Sequence, residues 1–177
     1  MKKVLINILL FITFIIIYLL HSNLFTWFKI AGVMPNLFVI FVLFIGLYSN
    51  KLMGPIYGIV FGLLIDLFIG KKIGITSIML AVVGIIGIQF DKSFSKDNRL
   101  TLIVMVITST IAFEVGSYIL NYFVNKGGFE IITFIQILII ECLYNILLTI
   151  IFYPLMQICG NKIERQYREP QILTRYF

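Results

Sequence analysis

Six long apolar runs, separated by short polar connections, occupy most of this 177-residue chain. They cover about residues 4–20, 34–48, 53–69, 73–90, 100–124 and 131–158. A helix needs about 20 apolar residues to cross the hydrocarbon core of a bilayer. Six crossings would therefore use about 120 of the 177 residues. The remainder is short loops and a basic tail over 161–177, with no room for a separate soluble domain. The chain is 60% hydrophobic and 12% charged, where a soluble domain has roughly 45–50% and about 25%. The expected fold class is an all-α integral membrane protein with six transmembrane helices in one domain, residues 1–160.

The first run follows Lys2 and Lys3, as a signal peptide would. The run is 17 residues long, beyond the roughly 7–15 of a signal core. The sequence after it, His21-Ser22-Asn23-Leu24, offers no small-x-small cleavage site, so it reads as a retained helix. Phe25, Trp27 and Phe28 then read as an aromatic belt at the outer interface. Placing the N-terminus inside puts 10 basic residues on inner segments (Lys2, Lys3, Lys51, Lys92, Lys96, Arg99, Lys162, Arg165, Arg168, Arg175). It leaves four on outer loops, Lys29, Lys71, Lys72 and Lys126, as the positive-inside rule expects. A non-crossing second run would give 5 inside and 9 outside, so the charges favour six crossings, with Lys71 and Lys72 against the trend.

The net charge of +6 does not indicate nucleic acid binding. Its basic residues cluster in the tail and in the loop from Asp91 to Arg99, where they set topology and meet anionic lipid headgroups. The two cysteines, Cys142 and Cys159, form no framework and no CxxC. One histidine, His21, leaves no metal-ligand cluster. There is no HExxH, GxSxG or phosphate-binding loop. The chain reads as non-enzymatic, with no cofactor and no metal: a scaffold, a carrier or a partner-binding subunit.

Small residues and an acid mark the third run. Gly54, Gly58, Gly62, Asp66 and Gly70 recur at every fourth position. Each step advances 400° and drifts by about 40° on an ideal helix, so Gly58, Gly62 and Asp66 share a face while Gly54 and Gly70 fall to either side. Glycines let a second backbone come close, so this trio is expected to form a seam for a neighbouring helix, from the chain itself or from a partner; a homodimer is a separate possibility. Gly84 and Gly87 suggest that the fourth run packs closely on the third. Two more acids lie inside runs, each with an amide on its own helical face: Glu114 with Asn121, and Glu141 with Asn145. No Lys or Arg lies deep in any run to neutralise them. Intramembrane acids face protein or water and mark functional positions by default. The plainer reading is interhelical hydrogen bonding, worth about 0.6 kcal/mol per bond on average.

Pro35-Asn36-Leu37 opens the second run, and Gly58-x-x-x-Gly62-x-x-x-Asp66 is followed by Gly74. With six short-looped runs in under 180 residues, this pattern resembles the MreD family of bacterial rod shape-determining membrane proteins. The family often has an acid after the proline, where this chain has Asn36. The resemblance implies a non-enzymatic subunit of the machinery that elongates the lateral cell wall, in the bacterial plasma membrane with both termini cytoplasmic. It implies MreC as direct partner, with the MreB filament and the cell-wall synthases in the same assembly. It also implies a compact bundle similar to the substrate-binding subunits of energy-coupling-factor vitamin transporters.

That likeness makes a vitamin-binding subunit the alternative reading. Such a subunit would carry small residues at four-residue spacing on its first helix, whereas residues 4–20 contain no Gly or Ala. It would also have a polar, aromatic-rich outer loop between its first two helices to close the site, and this chain reads as lacking one. A proton-coupled carrier using Asp66, Glu114 and Glu141 would show repeated halves with broken helices, and no such repeat is present.

Overall fold

The computed structural model describes residues 2–49, 52–69, 73–93, 99–125 and 130–167. Lys51, Gly70, Lys71, Lys72, Lys96, Lys126 and the tail from Arg168 onward lie outside the described residues. Six α-helices follow in order: α1 Lys2–Leu19, α2 Leu37–Tyr48, α3 Met53–Ile69, α4 Ile75–Ser93, α5 Arg99–Asn125 and α6 Ile131–Tyr167. Among the described residues there is no strand, only an isolated bridge between Ile30 and Val33.

Among the described residues, three segments are long and apolar enough to cross a membrane: Val4–Leu24, Leu100–Val124 and Ile131–Arg165. Leu37–Tyr48, Met53–Ile69 and Ile75–Asp91 are shorter apolar helices. The second run departs from expectation at its start, beginning at Leu37 rather than at 34. Pro35 disfavours helical conformation before it, and Asn36 then caps the helix, its Oδ1 accepting from the Val39 N–H at 3.3 Å. With 12 residues, α2 is only about 18 Å long. At the other end, α6 continues to Tyr167, so the first residues of the expected tail are helical.

The short helix is the hub. Every residue of α2 from Leu37 to Tyr48 is buried, because α3, α4, α5 and α6 all pack around it. That explains its composition, since a helix that is apolar all round belongs in the interior. A column of rings ties α1 and α3 to it. Phe14 stacks on Phe61 at 4.4 Å between centroids, and Phe61 lies 5.7 Å from Phe41.

Large apolar side chains also cover much of the outer surface. Leu5, Ile8 and Ile12 of α1, Leu67 and Phe68 of α3, and Ile132, Leu143, Ile150 and Leu155 of α6 are all exposed. Exposed apolar area on this scale marks a lipid-facing or partner-facing surface. The described residues thus form an all-helical fold whose apolar surface suits a membrane protein.

The connection between α1 and α2 is irregular. A π-helical turn, Leu20–Leu24, ends α1, with the Phe25 N–H donating to the Leu20 carbonyl at 3.1 Å. Ile30 and Val33 then exchange backbone hydrogen bonds of 3.1 and 2.9 Å around Ala31 and Gly32, both at positive φ. Such a turn needs left-handed conformation at both central positions, and Ala31 holds it without being glycine (φ 49°).

Candidate functional site

Two polar features lie beside the hub helix: a glycine seam ending in Asp66, and a cluster that joins α2 to α5 and α6.

Glycine brings α3 and α4 into backbone contact. A Cβ placed on Gly58 would come within 2.6 Å of the Leu80 carbonyl carbon, and one on Gly62 within 2.6 Å of the Ser77 nitrogen. These are backbone atoms, which no rotamer change can move aside. Close approach lets the Ser77 hydroxyl donate to the Ile59 carbonyl at 3.0 Å across the seam. The seam continues beyond the trio. A Cβ on Gly54 would lie 2.7 Å from the Gly46 Cα, and one on Gly87 2.5 Å from the Leu43 carbonyl oxygen. Gly54, expected to fall to one side, thus lies on the same buried face as Gly58, Gly62 and Asp66. Gly84 meets α3 at Gly54, while Gly87 meets α2. Gly46 belongs to this junction too and was not singled out from the sequence, where a lone glycine in a uniformly apolar run gives no periodic signal. The face of Gly58 and Gly62 is therefore occupied by the chain's own α4.

Asp66 is 1% exposed. Its Oδ2 accepts a 2.7 Å hydrogen bond from the Gly74 N–H. Gly74, at φ +106°, stands immediately before α4, so the carboxylate holds the start of α4 against the last turn of α3. Its Oδ1 has no hydrogen-bond partner among the described residues.

The second feature centres on Asn145 of α6, which is fully buried. Its Oδ1 accepts from the Asn36 N–H at 2.8 Å, and its Nδ2 donates to Thr110 Oγ1 of α5 at 3.0 Å. The Thr149 hydroxyl donates to the Asn145 carbonyl at 2.7 Å. One turn earlier, the Glu141 carboxyl lies within hydrogen-bonding reach of Glu114, Asn36 and Asn145. The two acids singled out on separate helices therefore meet, with Asn36 and Asn145 beside them. Asn121 does not join them; it is exposed and donates to the Ser117 carbonyl at 2.8 Å on its own helix. Pro35 is buried, Leu37 begins the hub, and Thr110 is the cluster member that sequence reading missed. A threonine inside an apolar helix carries no signal until its partner is known.

Beside the cluster is an open recess of about 250 Å³, lined by His21, Gly32–Asn36, Ile137 and Glu141. Glu141 lies ten residues into α6, so the recess borders α6 about 15 Å from its start. Non-helical backbone at membrane depth is tolerated only where protein buries it or where it lines a cavity. The Tyr144 hydroxyl anchors the same connection by donating to the Phe28 carbonyl at 2.5 Å. Trp27 beside it is 89% exposed, in keeping with a place in an outer aromatic belt. Among the described residues no group of His, Cys, Asp or Glu is arranged to hold a metal ion.

Residues 2–163 match the family model described as rod shape-determining protein MreD. No curated protein and no solved structure matches the chain.

Proposed function

The chain belongs to the rod shape-determining protein MreD family, and on that premise we propose that it is a non-enzymatic scaffold of the bacterial cell-wall elongation machinery, acting with MreC. The family match over residues 2–163 carries this reading. The architecture suits it. The polar groups within the bundle mainly tie its own helices together, through Asn145 to Asn36 and Thr110 and through Asp66 to Gly74. The outward faces of α1 and α6 stay apolar and are open to lipid and to other membrane helices. The basic residues support six crossings of the plasma membrane with both termini inside.

The test is purification of the tagged full chain from its own membranes. MreC should accompany it, and depletion should turn rod-shaped cells round. Absence of MreC together with unaltered shape on depletion would overturn the proposal. Gly62→Leu is no test of a direct MreC contact, since Gly62 faces α4.

The vitamin-binding alternative is favoured by one observation, the recess. At about 250 Å³ it falls just below the roughly 300–1,000 Å³ of typical small-molecule sites, so this reading ranks second. A thiamine- or riboflavin-like molecule retained by the purified protein would reverse the order.

A further inference from the structure

We propose that Glu114 of α5 and Glu141 of α6 hold one proton between them, the Glu141 hydroxyl donating to the Glu114 carboxylate, and that this proton fastens the α5–α6 pair to the start of the hub helix. The inference goes beyond the scaffold role and rests on no partner.

Helical register brings the two acids together. Asn145 Nδ2 donates to Thr110 Oγ1 at 3.0 Å between α6 and α5. One turn forward along α5 and one turn back along α6 stand Glu114 and Glu141. Further along both helices, the Tyr118 and Phe134 rings lie 4.4 Å apart. The acids are bracketed by these two contacts, and their carboxyl groups lie within hydrogen-bonding reach of each other.

Counting donors and acceptors then calls for a proton. Two carboxylates are acceptors only, and like charges held in contact away from water cannot both persist. No Lys or Arg stands between Leu100 and Val124 or between Ile131 and Gly160 to balance them. Around the pair, Cys142 of α6 and His21, which lines the recess with Glu141, are the other titratable groups. On the α1–α2 connection Lys29 is exposed. The charged residues of α1 and α4 stand at the first turn of α1 (Lys2, Lys3) and the last turn of α4 (Asp91, Lys92).

Burial decides which acid carries the proton. Glu141 is 5% exposed, whereas Glu114 is half-buried, and charge costs least on the group nearer to water. A separate sign comes from Glu141 Oε1, which is buried and accepts no hydrogen bond from any described residue. An ionised oxygen in that position would cost far more than a neutral one, so the atom itself points to a carboxylic acid. Asn36 and Asn145 are within reach of the same carboxyl. The proton thereby completes a chain from Glu114 through Glu141 to Asn36, the residue that caps α2.

The test is infrared difference spectroscopy of the full chain in lipid bilayers at neutral pH, with Glu114→Gln and Glu141→Gln variants checked for fold by helical circular dichroism. Removing Glu141 should delete a protonated-carboxyl band, and removing Glu114 should delete an ionised-carboxylate band and shift the remaining protonated one. Loss of a protonated band in both variants means two protons, loss of a carboxylate band in both means none, and the reversed assignment puts the proton on Glu114; each overturns the proposal. The unmodified protein with 13C-labelled glutamate must itself show a labelled protonated-carboxyl band, and its absence overturns the proposal without any variant. Glu141→Leu, which can neither donate nor accept, should speed hydrogen exchange at the start of α2 about tenfold or more, the loss of a hydrogen bond to a charged group, while Glu141→Gln stays near the parent. Unchanged exchange in a folded Glu141→Leu variant overturns the fastening role.

Discussion

Asp66 near the end of α3 and Gly74 at the start of α4 are joined by a 2.7 Å hydrogen bond from the Gly74 N–H to the Asp66 carboxylate. The acid of the glycine ladder thus ties a tight helical hairpin at the end where its two helices connect, where α4 begins with an otherwise unsatisfied backbone donor. Asp66→Leu should strand that donor and lower stability by about 1–3 kcal/mol. Asp66→Asn keeps an acceptor oxygen and should cost less. Thermal unfolding of both variants in one detergent measures the difference, and equal stabilities would count against the clamp.

The cost of filling a glycine depends on what it faces. Gly62→Ala drives a methyl group into the backbone at Ser77, and α4 must move as a unit. Overpacking of this kind costs about 1–3 kcal/mol or more. Gly116→Ala meets the Sδ of Met79, a flexible side chain that can turn away. Gly116→Ala should unfold within a few degrees of the parent, while Gly62→Ala should be clearly less stable; the reverse order would contradict this packing.

Asn145→Leu removes both the acceptor for the Asn36 N–H and the donor to Thr110. Loss of about 1–3 kcal/mol is expected for each buried group left unpaired. The effect should be visible locally as faster hydrogen exchange at the start of α2. Thr110→Val removes one bond without changing shape and should leave exchange at Asn36 close to that of the parent.

Topology can be read by thiol labelling in a background lacking Cys142 and Cys159. Trp27→Cys, at an 89% exposed position, should react with an impermeant maleimide on intact cells. Lys162→Cys, exposed near the end of α6, should react only after the membrane is opened. Labelling of both from the same side would overturn the six-crossing orientation.

Hydrophobic density alone was enough to read six helices in this sequence, because a burial signal of that strength needs no partner to be recognised. The limits Met53–Ile69 and the start of α6 at Ile131 fell where the apolar pattern placed them. The second helix did not, since local chemistry at Pro35 and Asn36 overrode the hydrophobic boundary. The ladder's shared face was also legible from the 3.6-residue period, although drift on an ideal helix wrongly set Gly54 aside. Its place on the seam follows from the approach of α2 at Gly46 and α4 at Gly84, and no periodicity within α3 contains that information.

The sequence by itself determined the solvent and the elements. A chain this apolar must satisfy its backbone internally, and helices are the form in which each segment does so alone. Which helices meet is a different kind of fact. Asn36 and Asn145 stand 109 positions apart, and nothing local to either names the other. Only the tertiary structure decided that the shortest helix is the hub, that Glu114 and Glu141 meet while Asn121 turns outward, and that the glycine face is filled by α4. Those outcomes depend on the simultaneous close approach of several backbones, a property of the assembled bundle rather than of any one run.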